Sequence, residues 1–455
     1  MSIRKIYVKI IRGWLIGILL FIPFQLPLAM AIKPWNNKLS AFINYLDEIT
    51  ITIFILLALV EFVKNRTIFS RVNIFFFLPI FLLGASGLIS GIVNGNSLFI
   101  TSLGTFDYIK NFLLIFIYSA FFNDFKKMFR LILTLAIIIG TVAAIQEVWA
   151  LVSVYIIGKD VLDSSIYIFR KIEPLKYLQE FVMNYDAFWR IGLYKTPSLM
   201  SHPNNMGLYC LFVLSIYLCS VKKINPMIFI PLFFGIFASV SRMVYANFII
   251  IMIPQIFRGR KLFITLSIFF GMLLVLMLFY KSNPIIQNIK SAQIQYDRHI
   301  SGTIFDDDFR GNTRKKAFEI WKDHLLFGVG PGMYGGVISI KYNSYVFEKY
   351  NAHPTPFMKQ INGIDQFYPQ LLAEMGIIGA AAFVFLIIAL FSIPFLLIKK
   401  ETAFQEIRSV FMGLSLFIVC LLIYWLGSGL NISAGLFSYC AFIGIGVGVL
   451  KTMEI

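Results

Sequence analysis

An all-α integral membrane protein is the fold class this sequence predicts, and three observations carry the prediction. Of its 455 residues, 58% are hydrophobic. Apolar runs of about 20 residues, the length one helical crossing of a bilayer needs, recur from end to end. The short segments between the runs collect Lys and Arg alternately, as cytoplasmic loops do. The bilayer core offers no water to backbone amides, so such a chain spans as helices that satisfy their own hydrogen bonds.

In chain order, the runs place spans at 13–32, 46–63, 74–93, 103–122, 129–157, 198–220, 226–240, 243–257, 261–280, 366–398, 408–427 and 433–450. Arg4, Lys5, Lys9 and Arg12 precede the first span, Lys64, Arg66 and Arg71 follow the second, and Lys126, Lys127 and Arg130 follow the fourth. Lys222 and Lys223, then Arg258, Arg260 and Lys261, then Lys399, Lys400 and Arg408 continue the alternation. Twelve helices with both termini cytoplasmic follow. The N-terminal MSIRKIYVKIIRGW resembles a signal peptide, but no small-residue cleavage site comes after it, so it reads as an uncleaved first helix.

Two long segments then fall outside the cell membrane, 158–197 and the larger 281–365 between helices 9 and 10. Long translocated loops escape the charge rule, so their basic residues do not contradict the topology. The first mixes aromatics and charges and reads as an amphipathic element on the membrane surface. No internal repeat, low-complexity linker or flanking soluble domain is visible, and 1–455 reads as a single polytopic membrane domain.

The formal net charge of +17 must be sorted by side of the bilayer before it speaks of a ligand, and it gives no reason to expect nucleic acid. Cys210, Cys219, Cys420 and Cys440 all lie inside apolar runs without metal-type spacing and read as core or lipid-facing residues. The histidines, His202, His299, His324 and His353, show no ligand spacing either, so neither metal nor cofactor is expected. His202 and His353 are candidates for acceptor contacts; His299 and His324 read as surface residues.

The charged residues of interest are few. Arg242, in FASVSRMVYANF, sits at a tight turn between the seventh and eighth spans, where an uncompensated arginine is costly. It either snorkels or caps the preceding helix, or it presents an anion-binding fork, since guanidinium matches phosphate oxygens bidentately. Arg310 and Arg314 lie at or just before the N-terminus of a helix through KKAFEIWKDHLL if Asn312 or Thr313 caps it. If the helix begins earlier, they stack at i and i+4. They bind an anion between them or pair with Asp306, Asp307 and Asp308. Ala317, Phe318, Trp321 and Leu325 form that helix's apolar side, and Gly328, Gly330 and Gly332 end it and allow close backbone approach. Asp365, Tyr368 and Glu374 open the tenth span. Asp365 is a helix N-cap or a general base at the membrane surface. Glu374, about two and a half turns on, reads as the partner of a buried cation, with Gly376 and Gly379 as a close-packing surface.

Taken together, these motifs resemble a known family. A polar turn like HPNxxG (His202 to Gly207) is followed by a Ser-Arg pair (Ser241, Arg242) and a long extracytoplasmic loop. The loop carries RxxxR, a tryptophan helix and GVGPG (Arg310 to Gly332), and ExGxxG (Glu374 to Gly379) opens the next span. This pattern is similar to that of the O-antigen ligase and Wzy-type polysaccharide polymerase superfamily, specifically over 190–385. The resemblance implies the GT-C glycosyltransferase architecture, an undecaprenyl-diphosphate-linked oligosaccharide donor, inversion at the anomeric carbon and no metal. It also implies that Arg242 and Arg310 hold the donor diphosphate, with Arg314 a weaker match to the motif. Arg314, His353, Tyr368, Glu374, His202 and Asn204 are the candidate substrate contacts. Ligases of the family usually carry a histidine followed by Asn or Ser where this chain reads Asp365-Gln366; polymerases commonly lack it.

The expected activity is therefore that of a repeat-unit polymerase of a surface or capsular polysaccharide, in a bacterial cytoplasmic membrane with an extracytoplasmic active site. Asp365 is its first candidate base. Its partners would be the lipid-linked oligosaccharide, the bilayer and a chain-length regulator protein. The alternatives are a ligase acting on a lipid A core or a protein, and a transporter of the same lipid. Asp107, Lys110 and Glu147, within or beside spans, speak for the transporter.

Overall fold

A helix stands on each of the twelve apolar runs. The computed structural model describes residues 3–65, 71–122, 124–152, 189–190, 193–194, 198–200, 202–257, 261–282, 309–354, 366–396, 405–430 and 433–454. α1 (Ile3–Phe21) continues through a 3-10 turn at Ile22–Phe24, where Pro23 sits, into α2 (Gln25–Ile32). A short α3 (Asn37–Asn44) follows, capped by the Asn36 side chain, which accepts the Leu39 N–H at 3.0 Å. Then come α4 (Leu46–Lys64), α5 (Arg71–Val93), α6 (Leu98–Phe121) and α7 (Phe125–Val152). In the segment expected at 158–197, a two-residue antiparallel ladder, β1 (Trp189–Arg190) with β2 (Leu193–Tyr194), is described. The expected amphipathic element there lies outside the described residues.

The second half runs through α8 (Pro203–Ser220), α9 (Pro226–Phe237), α10 (Arg242–Phe257) and α11 (Lys261–Ser282). In the long loop stand α12 (Phe309–Asp323), α13 (Val337–Lys341) and α14 (Tyr345–Lys349); α15 (Phe367–Leu396), α16 (Gln405–Tyr424) and α17 (Ser433–Glu454) complete the chain. Pro203 and Pro226 each occupy a first helical turn, where a missing N–H costs nothing. By length and composition, Ile6–Ile32, Ile74–Val93, Leu98–Phe121, Phe125–Trp149 and Phe367–Ser392 are sufficient to cross a membrane, and five shorter apolar helices accompany them.

Burial sorts these helices into an interior and a ring. From Met206 to Cys219, α8 is buried on all sides, and so is α17 from Ala434 to Val449. A helix apolar all round is one that other helices enclose. α17 lies along α6, where Gly444 and Gly448, four residues apart, let its backbone approach Ile115 and Phe122. α8 lies along α16, α9 along α7, and α15 along α5. Cys210, Cys219, Cys420 and Cys440 are buried, as their places inside apolar runs predict.

A smaller core cluster sits beside the main one. Ala317 and Ile320 of α12 pack with Val329, Met333, Tyr334, Val346, Phe347 and Tyr350 and with Ala373 of α15. This corrects the expected apolar side of α12. Its buried stripe is Thr313, Ala317 and Ile320, spaced i, i+4, i+7, whereas Phe318 and Leu325 are 38% and 48% exposed.

Candidate functional site

The turn between α9 and α10 places Arg242 as the first residue of its helix. Only residues 238–241 separate the two helices, and the chain reverses through Val240, buried and at φ +42°. A β-branched residue in the left-handed region is strained, and such strain persists only where the surroundings enforce it. Two bonds do so here. The Tyr245 N–H donates to the Ser241 carbonyl at 2.9 Å, and the Tyr245 hydroxyl donates across the turn to the Phe237 carbonyl at 2.5 Å. Arg242 itself is half-buried and has no hydrogen-bond or ion-pair partner among the described residues. It therefore does not cap α9, and it adds its charge to the positive end of α10's dipole.

The HPNxxG turn supports this arrangement from below. His202 is the N-cap of α8, its Nδ1 accepting the Asn204 N–H at 3.1 Å. The Asn204 side-chain oxygen is buried without a hydrogen-bond partner among the described residues. Gly207 lies against the Arg242 turn: a Cβ there would stand 2.7 Å from Ser239 Cβ and 2.9 Å from Val244 Cγ1. Two motifs 35 residues apart thus form one packed unit.

GVGPG and ExGxxG form a second unit. α15 is broken at Gly376, at φ +61° and ψ −161°, a conformation open essentially to glycine alone. Residues 325–330 run alongside the break and take up the freed backbone groups. Val329 and Gly330 donate their N–H groups to the carbonyls of Ala373 and Glu374 at 2.8 and 2.9 Å. In return, Ile377 and Ile378 donate to Leu325 and Leu326 at 2.9 and 3.1 Å. The approach is so close that a Cβ at Gly328 would lie 2.4 Å from the Glu374 carbonyl carbon. Gly376 is thus a break in the helix filled by the loop, not the helix-packing surface expected of it.

α5 and α6 hold the same loop from the other side. Ser90 Oγ donates to the carbonyls of Phe327 and, at 3.0 Å, Glu374. Asn94 Nδ2 donates to Gly328 at 2.8 Å, and Asn96 Nδ2 to Val329 at 2.6 Å. Gly104 of α6 admits Pro331, whose carbonyl carbon would be 2.4 Å from a Cβ there.

Glu374 lies at the centre of this joint, 1% exposed. One carboxylate oxygen accepts the Tyr334 N–H at 2.8 Å; the other accepts the Tyr108 hydroxyl at 2.7 Å and Gln370 Nε2 at 3.3 Å. Neutral donors, not the expected buried cation, satisfy it, and enclosure on every side puts it in the framework rather than on a substrate surface. Tyr334, 1% exposed, turns its hydroxyl to the Thr313 carbonyl in α12 at 2.7 Å. Burial, with Glu319 and Glu374 adding, pushes its phenol well above the ordinary range, so it acts as a donor.

The Arg242 turn and the joint of GVGPG with ExGxxG lie on one stretch of the chain. Residues 227–384 match the family model described as O-antigen ligase. This stretch resembles an O-antigen ligase domain. The match bears out the resemblance read from the motifs, and it runs from the start of α9 past the break in α15, enclosing Arg242, the arginine helix, GVGPG and ExGxxG. HPNxxG lies outside it, yet packs on its arginine turn. Comparison with curated proteins gives no match.

The other expected residues are distributed as follows. α12 begins at Phe309, so Arg310 and Arg314 stand one turn apart within the helix; Arg314 is exposed. Asp306, Asp307, Asp308, His299 and Asp365 lie outside the described residues. His353 is exposed just after α14, and His324, expected at the surface, is half-buried just after α12. The Tyr368 hydroxyl donates to the Leu422 carbonyl at 2.7 Å, which fixes α15 to α16. Asp107 and Lys110 also have each other: Lys110 Nζ is 2.6 Å from Asp107 and 2.8 Å from Glu48 of α4, with the lysine side chain 11% exposed. Glu147 is buried and partnered.

Ser90, Asn94, Asn96, Tyr108 and Tyr334 went unread in the sequence. The signal for the first three was SGIVNGN closing an apolar run, polar groups too many for a bare turn. For Tyr108, it was a phenol amid apolar residues, whose hydroxyl needs a partner when buried.

Proposed function

We propose that this chain is a polysaccharide repeat-unit polymerase of the GT-C type. It would cross the membrane twelve times with both termini cytoplasmic, and transfer an undecaprenyl-diphosphate-linked glycan to the non-reducing end of another lipid-linked repeat unit outside. The observation that carries this reading is Arg242, a half-buried guanidinium inside an O-antigen ligase domain, without a partner among the described residues and held by a strained turn at a helix N-terminus. An apolar cleft of about 460 Å³ on α7 and α9, lined by Ile145, Val148, Trp149 and Phe234, suits a polyprenyl chain. Pairing of Lys110 with Asp107 and Glu48 accounts for two of the three charges that speak for a transporter.

In this mechanism the acceptor hydroxyl oxygen attacks the anomeric carbon from the face opposite the diphosphate. The new C–O bond forms as the bond to the diphosphate breaks, which inverts the centre. The leaving diphosphate keeps the electron pair, and Arg242 and Arg310, with Arg314 beside them, stabilise the growing charge. The hydroxyl proton passes to Asp365. A diphosphate is a good leaving group, so charge stabilisation matters more than protonation. His353, Asn204 and His202 would lie toward the acceptor.

The family description favours a second reading, a ligase with a lipid A core or a protein as acceptor. One assay separates them. Purified protein is given its lipid-diphosphate repeat unit in EDTA, and the products are resolved on a gel. A ladder growing by whole repeats, abolished by Arg242→Ala, supports the polymerase. Transfer only after a lipid core or protein acceptor is added makes the chain a ligase, and a normal ladder from Arg242→Ala removes that arginine from the mechanism.

A further inference from the structure

The bonds around Glu374 form one continuous chain across four elements. Tyr108 on α6 donates to Glu374 on α15 at 2.7 Å, Glu374 accepts the Tyr334 N–H at 2.8 Å, and the Tyr334 hydroxyl donates to the Thr313 carbonyl at 2.7 Å. Thr313 is 8% exposed and lies in the first turns of α12, three residues after Arg310 and one before Arg314. The last bond occupies the second lone pair of a carbonyl that the helix already uses. It therefore adds nothing to helix formation as such; what it fixes is where α12 stands along and about its axis.

We propose that Tyr334 is a positioning residue, a tether that sets the reach and roll of the arginine helix from the buried Glu374, and so holds Arg310 and Arg314 for the diphosphate of the lipid-linked donor. The inference rests on the donor reading of those arginines given above. A hydrogen bond constrains direction as well as distance, and on a helix of 15 residues a small rotation at Thr313 sweeps a long arginine tip through a much larger arc. Packing of Ala317 and Ile320 on Ala373 sets the face of α12; the tyrosine hydroxyl sets its register.

Tyr334→Phe isolates the point, because it removes the hydroxyl while keeping the N–H to Glu374 and the ring against Phe347, 6.4 Å between centroids. The full chain in nanodiscs is titrated with undecaprenyl diphosphate, and backbone amide exchange is followed over 309–317. Tyr334→Phe is expected to weaken binding by about three- to tenfold, the worth of one net hydrogen bond, and to speed exchange across that turn. The loss should vanish in an Arg310→Ala/Arg314→Ala background, which a merely structural defect would not do. Tyr108→Phe, breaking the far link, should give a smaller loss of the same kind, and serves if Tyr334→Phe does not fold. Tyr345→Phe, at an exposed position, should leave both readouts unchanged. If the arginine variants lose binding while Tyr334→Phe alters neither binding nor exchange, the tether falls and the donor reading stands. If the arginine variants bind undecaprenyl diphosphate as the parent does, the donor reading falls, and the inference with it.

Discussion

Replacing Gly207 with alanine tests whether the HPNxxG turn sets the position of Arg242. The added carbon would stand 2.7 Å from Ser239 Cβ, 2.8 Å from Ser239 Oγ and 2.9 Å from Val244 Cγ1. Carbon atoms pack at about 3.5–4.0 Å, so the arginine turn must retreat by roughly 0.6 Å or more. It has little freedom to do so. Ser239 and Val244 are both fully buried, and the Ser239 hydroxyl is bonded to the Ile236 carbonyl at 2.7 Å. Overpacking of this kind costs about 1–3 kcal/mol in stability. Its effect on chemistry should be larger, because a misplacement of about 1 Å in a catalytic group can cost about 100-fold in rate. The expected outcome is a 10- to 100-fold fall in the initial rate of ladder growth with the protein still folded, by the scale just given. Adding Ser239→Gly, which deletes the atoms struck first, should recover part of it. Gly271→Ala is the control: a Cβ there meets no atom within 4 Å, and in a helix the change should be neutral or stabilising by up to about 1 kcal/mol. A Gly207→Ala protein that melts normally and polymerises within about twofold of the parent would refute the coupling between the two motifs.

Two further outcomes test the framework itself. Gly376→Ala should cost more than about 3 kcal/mol, since strain in that backbone region adds about 1–3 kcal/mol to a Cβ only 2.4 Å from the Leu326 carbonyl oxygen; an unchanged unfolding midpoint in detergent would contradict the broken-helix joint. Lys110→Met should leave Asp107 and Glu48 facing each other and destabilise the bundle by about 3 kcal/mol, the lower end for a broken buried pair, because the partner side chains are 28% and 33% exposed. Adding Asp107→Asn and Glu48→Gln should restore the melting temperature, and failure to do so would show that the lysine acts through packing alone.

The positions of the helices were legible in the sequence because bilayer thickness dictates the length of an apolar run, and no tertiary detail alters that. The tight turn that carries Arg242 was legible as well, from its place between two apolar runs. Which way the polar residues point was not. Ser90, Asn94 and Tyr108 find their acceptors 234 to 284 residues away, and no local pattern encodes a distant carbonyl. The same limit explains Glu374. A carboxylate in an apolar run suggests a cation, but two tyrosines and a glutamine satisfy it just as well, and two of these three arrive from other elements. Spacing also misled on α12, where Phe318 and Leu325 looked like the core. The stripe actually buried, Thr313, Ala317 and Ile320, follows the position of α15, which local spacing does not encode.

The separation of partners in the joint also has a consequence for how the molecule is made. Ser90 donates to a carbonyl 284 residues further along, so at a synthesis rate of about 5–20 residues per second, α5 is complete for roughly 15–60 s before its acceptor exists. During that interval, the polar ends of α5 and α6 lack the groups that will satisfy them, and the buried face of α6 lacks α17. The C-terminal half is thus the keystone of assembly. A nascent chain that stops short of Glu374 presents a polar, unfilled notch for quality control to recognise.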